Sequence, residues 1–284
     1  MISGMIRPLA RSPAARTDPQ VSEQYYIERE LADRLRGARS RDERRVLYGQ
    51  VYREFNERVR HYDLAIQAAD PVIQAAAIAP QVRLLRGFVS RQSVYCEIGA
   101  GDGAVARALA PMVSSSLAID VTDALLRGPN PDANFRFRVF DGFDPALPPQ
   151  SVDVAYSRDL VEHLQPDDML EQTVAVARML KAGGIYVCVT PNRLSGPHDV
   201  SRDFDDIPRG LHLKEYTATE VAQTLRKAGF GDVRVLISVG GWRLAPLLPM
   251  WTVTPLEGFL SRLPRWARRR IARLLAAVKV VGIR

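Results

Sequence analysis

Apolar and polar positions change their period along the chain, and the changes divide it into three regions. Residues 22 to about 85 carry a helical pattern. Tyr48, Tyr52, Phe55, Val59, Tyr62 and Ile66 follow one another at intervals of 4, 3, 4, 3 and 4, with arginine and glutamate elsewhere. That spacing puts them on one face of a helix, a face that packs on the rest of the domain or serves as a substrate lid or dimer contact. Ser40 followed by Glu43 supplies the residues of a capping box at its start.

From 90 to 240 short apolar runs alternate with helix-like segments, the pattern of a parallel sheet covered by helices. The predicted strands are Ser93–Ile98, Leu117–Asp120, Phe135–Val139, Val152–Ser157, Ile185–Thr190 and Val233–Val239. Between them fall helices over Ala104–Ala110 and over Pro166–Leu180, the latter opened by proline and acids and stopped by Gly183 and Gly184. Another begins at Thr217, where Glu220 completes a capping box, and closes at Gly229. Residues 241–277 break the alternation with an apolar run interrupted by Pro246, Pro249 and Pro255, then a basic helix around Trp266–Ala277. Val278–Ile283 reads as one more strand. The pattern predicts a loose tail over 1–20, a helical region over 21–89 and an α/β domain over 90–284, with 241–277 inserted before the last strand.

Composition adds bounds. The chain has 284 residues, 46% hydrophobic and 25% charged, ordinary for a globular protein. Cys96 and Cys188 sit in apolar runs and read as buried, reduced thiols of a cytosolic protein. The first twenty residues lack a continuous apolar stretch, so no secretory signal is expected. No run of 18 or more apolar residues predicts a membrane span. The formal charge of +7 is a local property: Gly241 to Arg284 holds nine basic residues and one acid, Glu257, and the remainder is close to neutral.

The segment Val94–Gly103 carries the most chemistry. An apolar strand runs into Gly99-Ala-Gly101-Asp102-Gly103 and then a helix. Alternating glycines let the backbone turn sharply beside a ligand, and the helix offers unpaired amides. The same string satisfies the dinucleotide pattern with alanine last, and Asp120 suits ribose hydroxyls in either case. Four further features discriminate. Glu97 lies within the strand, where it could meet a cationic aminoacyl group. Asp141 follows the third strand in Val-Phe-Asp-Gly. The strand Val152–Ser157 reaches the loop's far side, and a Gly pair joins helix to strand at Lys181–Ile185.

Taken in order, Glu97–Gly103, Asp120, Asp141, Ser157, Glu162-His163-Leu164, Leu180–Gly184, Thr190-Pro-Asn192 and Thr217–Phe230 resemble the class I S-adenosylmethionine (SAM)-dependent methyltransferases. The branch they are most similar to is the small-molecule one that includes quinone-biosynthesis O-methyltransferases. The likeness covers about half the chain. It implies a Rossmann-like, seven-stranded, mostly parallel sheet with helices on both faces, with the N-terminal helices and the C-terminal segment as additions. It also implies SAM as cofactor. Gly99, Gly101 and Gly103 would cradle its methionine part, Asp120 its ribose, and Asp141 with the Gly142 backbone its adenine. Ser157 and Arg158 would close the pocket by the sulfonium.

The Pro-Pro-aromatic motif of nucleobase amine methylation is absent after the fourth strand, where Ser157-Arg-Asp-Leu160 stands. No DNA or RNA base substrate is expected. A hydroxyl acceptor, small or lipid-linked, needs a base, and His163, His198 and His212 are the candidates, in that order. Glu162 and His163 could suggest metal ligands, but neighbours on a helix diverge by about 100°, so no metal is predicted. The insertion's aromatic and arginine residues between 244 and 273 fit a lid, a peripheral membrane contact at the inner face of the membrane, or a nucleic-acid- or phosphate-binding surface. A nicotinamide-dependent oxidoreductase and a SAM-binding module without turnover are the alternatives.

Overall fold

A computed structural model describes residues 18–59, 70–126, 133–272 and 277–284. Helix α1 (Pro19–Gly37) begins at an Asp18 cap, two residues inside the expected tail. Helix α2 (Arg41–Arg58) starts where the Ser40 side chain accepts from the Glu43 N–H. The Glu43 carboxylate reaches Arg39 N at 2.7 Å, one residue before the position a capping box uses. Tyr48, Phe55 and Val59 are buried and Tyr52 is half-buried, as the stripe predicts; Tyr62 and Ile66 lie outside the described residues. Helix α3 (Pro71–Leu85) follows.

The strands are β1 (Val94–Ile98), β2 (Ser115–Asp120), β3 (Phe135–Val139), β4 (Val152–Arg158), β5 (Leu180–Pro191), β6 (Asp232–Val235), β7 (Ser238–Val239), β8 (Trp242–Arg243), β9 (Leu248–Pro249) and β10 (Ala277–Ile283). The main sheet runs β3-β2-β1-β4-β5-β10-β6-β9. The first five of these strands are parallel neighbours, and β10 is antiparallel to both β5 and β6. Successive residues alternate between two cores. Cys96, Ala155, Tyr186 and Cys188 face α1, α2, α5 (Pro166–Met179) and α6 (Ala218–Lys227). Tyr95, Val154, Tyr156, Val187 and Val189 face α3 and α4 (Ala104–Leu109). Period-two alternation in a two-sided sheet gives that partition.

Three expectations need correction. The sheet has eight strands rather than seven, because Leu248–Pro249 of the insertion pairs antiparallel with β6 at its edge. The predicted strand Val233–Val239 stops at Val235; Ser238–Val239 turns back on Trp242–Arg243 through Gly240 and Gly241, both at positive φ. The Leu180–Gly184 segment lies within β5, with a register shift opposite Val152 and Val154 and Gly183 at φ 73°.

Because β1, β2, β4 and β5 are parallel, their carboxyl ends share one edge. The long 192–216 connection crosses that edge, as open α/β sheets favour for a ligand crevice. Helices α7 (Thr254–Ser261) and α8 (Arg265–Ala272) of the insertion pack on the connection through Leu260 and Ala272 against Leu194.

Candidate active site

The glycine loop is held by its own carboxylates. Gly99, Gly101 and Gly103 have φ of 69°, 56° and 70°, conformations that L side chains disfavour. A Cβ on Gly99 would also strike Leu160, and one on Gly103 would press on Phe135. The Gly99 and Ala100 amides donate to the Ile119 carbonyl at 2.9 and 3.1 Å. Asp120 Oδ2 accepts from Gly101 N at 2.8 Å and its Oδ1 from Thr122 N at 3.2 Å. Burial, opposed by those amides, raises its carboxyl to about 6. Each oxygen keeps a lone pair that ribose hydroxyls could use, so the group fits the sugar.

The other acids of the loop are more occupied than their sequence positions suggest. Glu97 is buried, accepts from Ala106 N at 2.8 Å, and is pushed up to about 8 by desolvation. It satisfies an orphan amide in the first turn of α4. Asp102 accepts from Ala104 N at 3.0 Å and from the Gln74 amide of α3 at 2.6 Å. Asp141 Oδ1 accepts from Phe143 N and Asp144 N at 2.8 and 3.1 Å, while Oδ2 pairs with Arg45 of α2 at 2.5 Å. The Gly142 carbonyl accepts from Gln172 at 2.6 Å, and its φ is 85°. Ser157 is fully buried and shares a 2.7 Å hydrogen bond with Tyr186; Arg158 pairs with Asp159 at 3.0 Å. Arg45 and Gln74 come from the N-terminal helices, and nothing in the sequence ties them to the loop.

The histidines gather on the other side of β4. Leu160, which fills the space over Gly99, leads directly into a 3-10 turn, Val161–His163. His163 and His212 meet edge to face with ring centroids 4.9 Å apart, and Tyr52 stands edge-on to His163 at 5.7 Å. His163 Nδ1 lies 3.0 Å from the Leu211 carbonyl, which fixes that nitrogen as the donor and leaves Nε2 as the acceptor. Burial, reinforced by charge on His212, lowers His163 to about 3, so it is neutral at pH 7. His212 goes the other way. Burial works against its charge, but the Glu215 hydrogen bond at 3.0 Å and the charges of Asp199 and Glu162 raise it to about 10. That shift favours the imidazolium form, in which His212 donates to Glu215. His198 spends Nε2 on Ser195 Oγ and the Asn192 carbonyl at 3.0 and 3.1 Å. It is a brace within the connection.

Glu162 is the residue that sequence reasoning undervalued. It is fully buried, its Oε2 accepts from Thr190 at 2.8 Å, and its Oε1 has no partner among the described residues. Desolvation and the neighbouring Asp159 raise its carboxyl. Glu162, His163 and His212 each bring one ligating atom to a point where all lie within 4.8 Å of one another. Glu162 and His163 are neighbours on the 3-10 turn Val161–His163, yet their ligating atoms come within reach of one another and of His212. The Tyr52 hydroxyl, also unpartnered, is raised by burial, by Tyr48 and by the carboxylates of Glu162, Glu28 and Asp120.

Comparison with known proteins fits this arrangement. Residues 96–188 match the family described as methyltransferase domain. The match spans 93 of the chain's 284 residues and supports a methyltransferase domain over them. A probable SAM-dependent methyltransferase of Mycolicibacterium smegmatis is 29% identical over 137 residues, 47% of this chain and 50% of that protein. The chain thus spans about half the length of the curated relative it matches. Phosphoethanolamine N-methyltransferase 2 of Haemonchus contortus, solved with SAM, superposes with a TM-score of 0.57 at 17% identity. That match covers 82% of this chain and 60% of the other. A methyltransferase in complex with the Trm112 methyltransferase activator of Haloferax volcanii gives 0.53 at 19% identity, over 77% and 94%. At such identities the likeness is one of fold. Of the two cofactors the glycine loop admits, the family match together with the SAM-dependent relative supports SAM over a nicotinamide dinucleotide.

Proposed function

We propose that the chain is a methyltransferase acting on a hydroxyl oxygen of a small or lipid-linked acceptor, in the manner of the small-molecule branch. When bound, SAM supplies an electrophilic methyl group. Asp120 accepts from the ribose hydroxyls, the Gly99–Gly103 backbone receives the methionine part, and Asp141 with the Gly142 backbone borders the adenine. Glu97 and Asp102 shape the loop, and Ser157 backs it from the sheet. The observation that carries the acceptor side is the placing of His163 against His212 and Tyr52, with Nδ1 tied to the Leu211 carbonyl so that Nε2 is the accepting nitrogen. His163 takes the hydroxyl proton as the oxygen attacks. His212, held cationic by Glu215, stabilises the developing oxyanion. His198 positions the connection, because its backbone N–H donates to Glu215 at 2.6 Å and so fixes the partner of His212.

Incubation with label-bearing SAM and a cell extract, partitioned into aqueous and lipid fractions, tests the reading. The expected result is label in a small molecule or lipid, lost in His163→Ala while calorimetric SAM binding persists. SAM binding with no transfer to any fraction would show a binding module instead. A second reading, a divalent cation on Glu162, His163 and His212, is favoured by their convergence and the unpartnered Oε1. Metal analysis of the purified chain separates the two.

A further inference from the structure

The insertion presents an outward face with an unusual inventory. Its acid, Glu257, is turned inward: its carboxylate accepts from Ala218 N and Thr219 N at 2.7 and 2.9 Å and from Thr219 Oγ1 at 2.6 Å, capping α6. Two of its arginines also point inward. Arg265 pairs with Asp206 at 2.7 Å, and Arg269 donates to the Gly196 carbonyl at 3.0 Å. What remains outside is cationic and aromatic. Trp251, Phe259 and Trp266 are 75%, 59% and 70% exposed, Leu256 accompanies them, and Arg262 and Arg270 are exposed beside them. Two short helices that bury Leu260 and Ala272 but expose Leu256, Phe259, Trp266 and Ile271 are not arranged for water alone.

We infer that the outer face of α7 and α8, with the preceding Trp251 turn, docks on an anionic lipid bilayer. The inference rests on the methyltransferase reading only for its purpose: it would bring the connection bearing His198 and His212 to a membrane-borne acceptor. Charge complementarity argues for this occupant. Arginine heads beside exposed indoles match phosphate headgroups over an acyl boundary, and an outward face without a carboxylate offers nothing for a cationic partner. No described helix is long and apolar enough to cross a membrane, so the contact is interfacial.

The test is co-sedimentation of the full chain with phosphatidylglycerol-containing vesicles and with pure phosphatidylcholine vesicles, reading tryptophan emission as well. Binding to the anionic vesicles is expected, with a blue-shifted emission and weakening by salt. Each arginine near the surface contributes about fivefold, so the pair Arg262→Glu and Arg270→Glu should weaken binding at least tenfold. Trp251→Ser with Phe259→Ser should remove the emission shift. Circular dichroism and SAM calorimetry on the same samples report whether the variants fold. Absence of binding at low salt, binding indifferent to both pairs of changes, or a concentration-dependent dimer that the same changes dissolve would each overturn the inference. Loss of SAM affinity in the wild-type chain would instead sink the methyltransferase reading and leave the vesicle result standing.

Discussion

The two halves of the sheet's carboxyl edge are built by different means. On the cofactor half most of the contacts that set geometry are local. Gly101 meets Asp120 across 19 positions, and Ala106 meets Glu97 across nine. On the acceptor half they span the chain. Glu28 of α1 accepts from Leu211 N, and Arg36 donates to the carbonyls of Arg209, Gly210 and His212, 173 to 176 positions away. Tyr25 stacks on Phe204 at 4.2 Å and donates to Asp205 at 2.6 Å. The cofactor half is mainly a backbone device of the core sheet, to which the N-terminal helices add Gln74 on Asp102 and Arg45 on Asp141. The acceptor half depends on the N-terminal helices pinning the 192–216 connection in place, so changes far from the histidines should reach the chemistry through it.

The largest expected effect is on rate. His163→Ala should lower methyl transfer by about 100- to 10,000-fold, the range a positioned base contributes, with SAM affinity unchanged by calorimetry. A loss confined to SAM affinity would move His163 from the acceptor half to the cofactor half. Next comes the anchor of α2. Arg44 donates twice to Asp168 at 2.6 Å, and the Tyr48 hydroxyl donates to it at 2.8 Å, with Asp168 almost wholly buried. Asp168→Ala should cost about 1–3 kcal/mol in urea unfolding, because the buried Tyr48 hydroxyl and the partly buried Arg44 guanidinium lose their acceptor. If the halves differ as described, transfer should fall further than SAM binding in the same variant.

How much of this was readable follows the same division. The five parallel strands, the last strand, and the Thr217–Glu220 capping box are local patterns, and the described structure has them at the expected positions within a residue or two, apart from β5, which starts five residues early, and the β6 break. Asp120 stands against the glycine loop as its register implied. Arg45 on Asp141, Gln74 on Asp102 and Tyr52 beside His163 could not be read, because no periodicity links the helices at 41–58 and 71–85 to loops further along the chain. The three histidines were legible as residue types but not as states. Their protonation follows from burial and from Glu215, Asp199 and Glu162, which only the fold assembles. The eighth strand was hidden because Pro249 argues against a strand interior, and it survives only at the sheet's edge.

Asp120→Ala sharpens the cofactor side. Removing a charged acceptor costs about 2 kcal/mol, so SAM affinity should fall roughly 30-fold by calorimetry. The Gly101 amide would also lose its partner, and the loop with it some order. Asp120→Asn retains an acceptor for Gly101 and should lose less. Equal affinity in the wild type and the alanine variant would remove the ribose role.

The smallest effect tests whether the insertion belongs to the acceptor half. Thr217 caps α6 locally by accepting from Glu220 N, while Glu257 of the insertion caps Ala218 N and Thr219 N of the same helix. Thr217→Ala should cost about 1 kcal/mol, as N-cap losses do. The Glu257→Gln change removes the charge but leaves an acceptor, so its direct cost is of the same order. Their coupling is informative. Both caps serve one helix end, so the double variant should lose measurably more or less than the two single losses added together, by about 0.5 kcal/mol or more. Strict additivity in urea unfolding would mean that the insertion rests on the domain without sharing its helix end, and that the acceptor half ends at the connection.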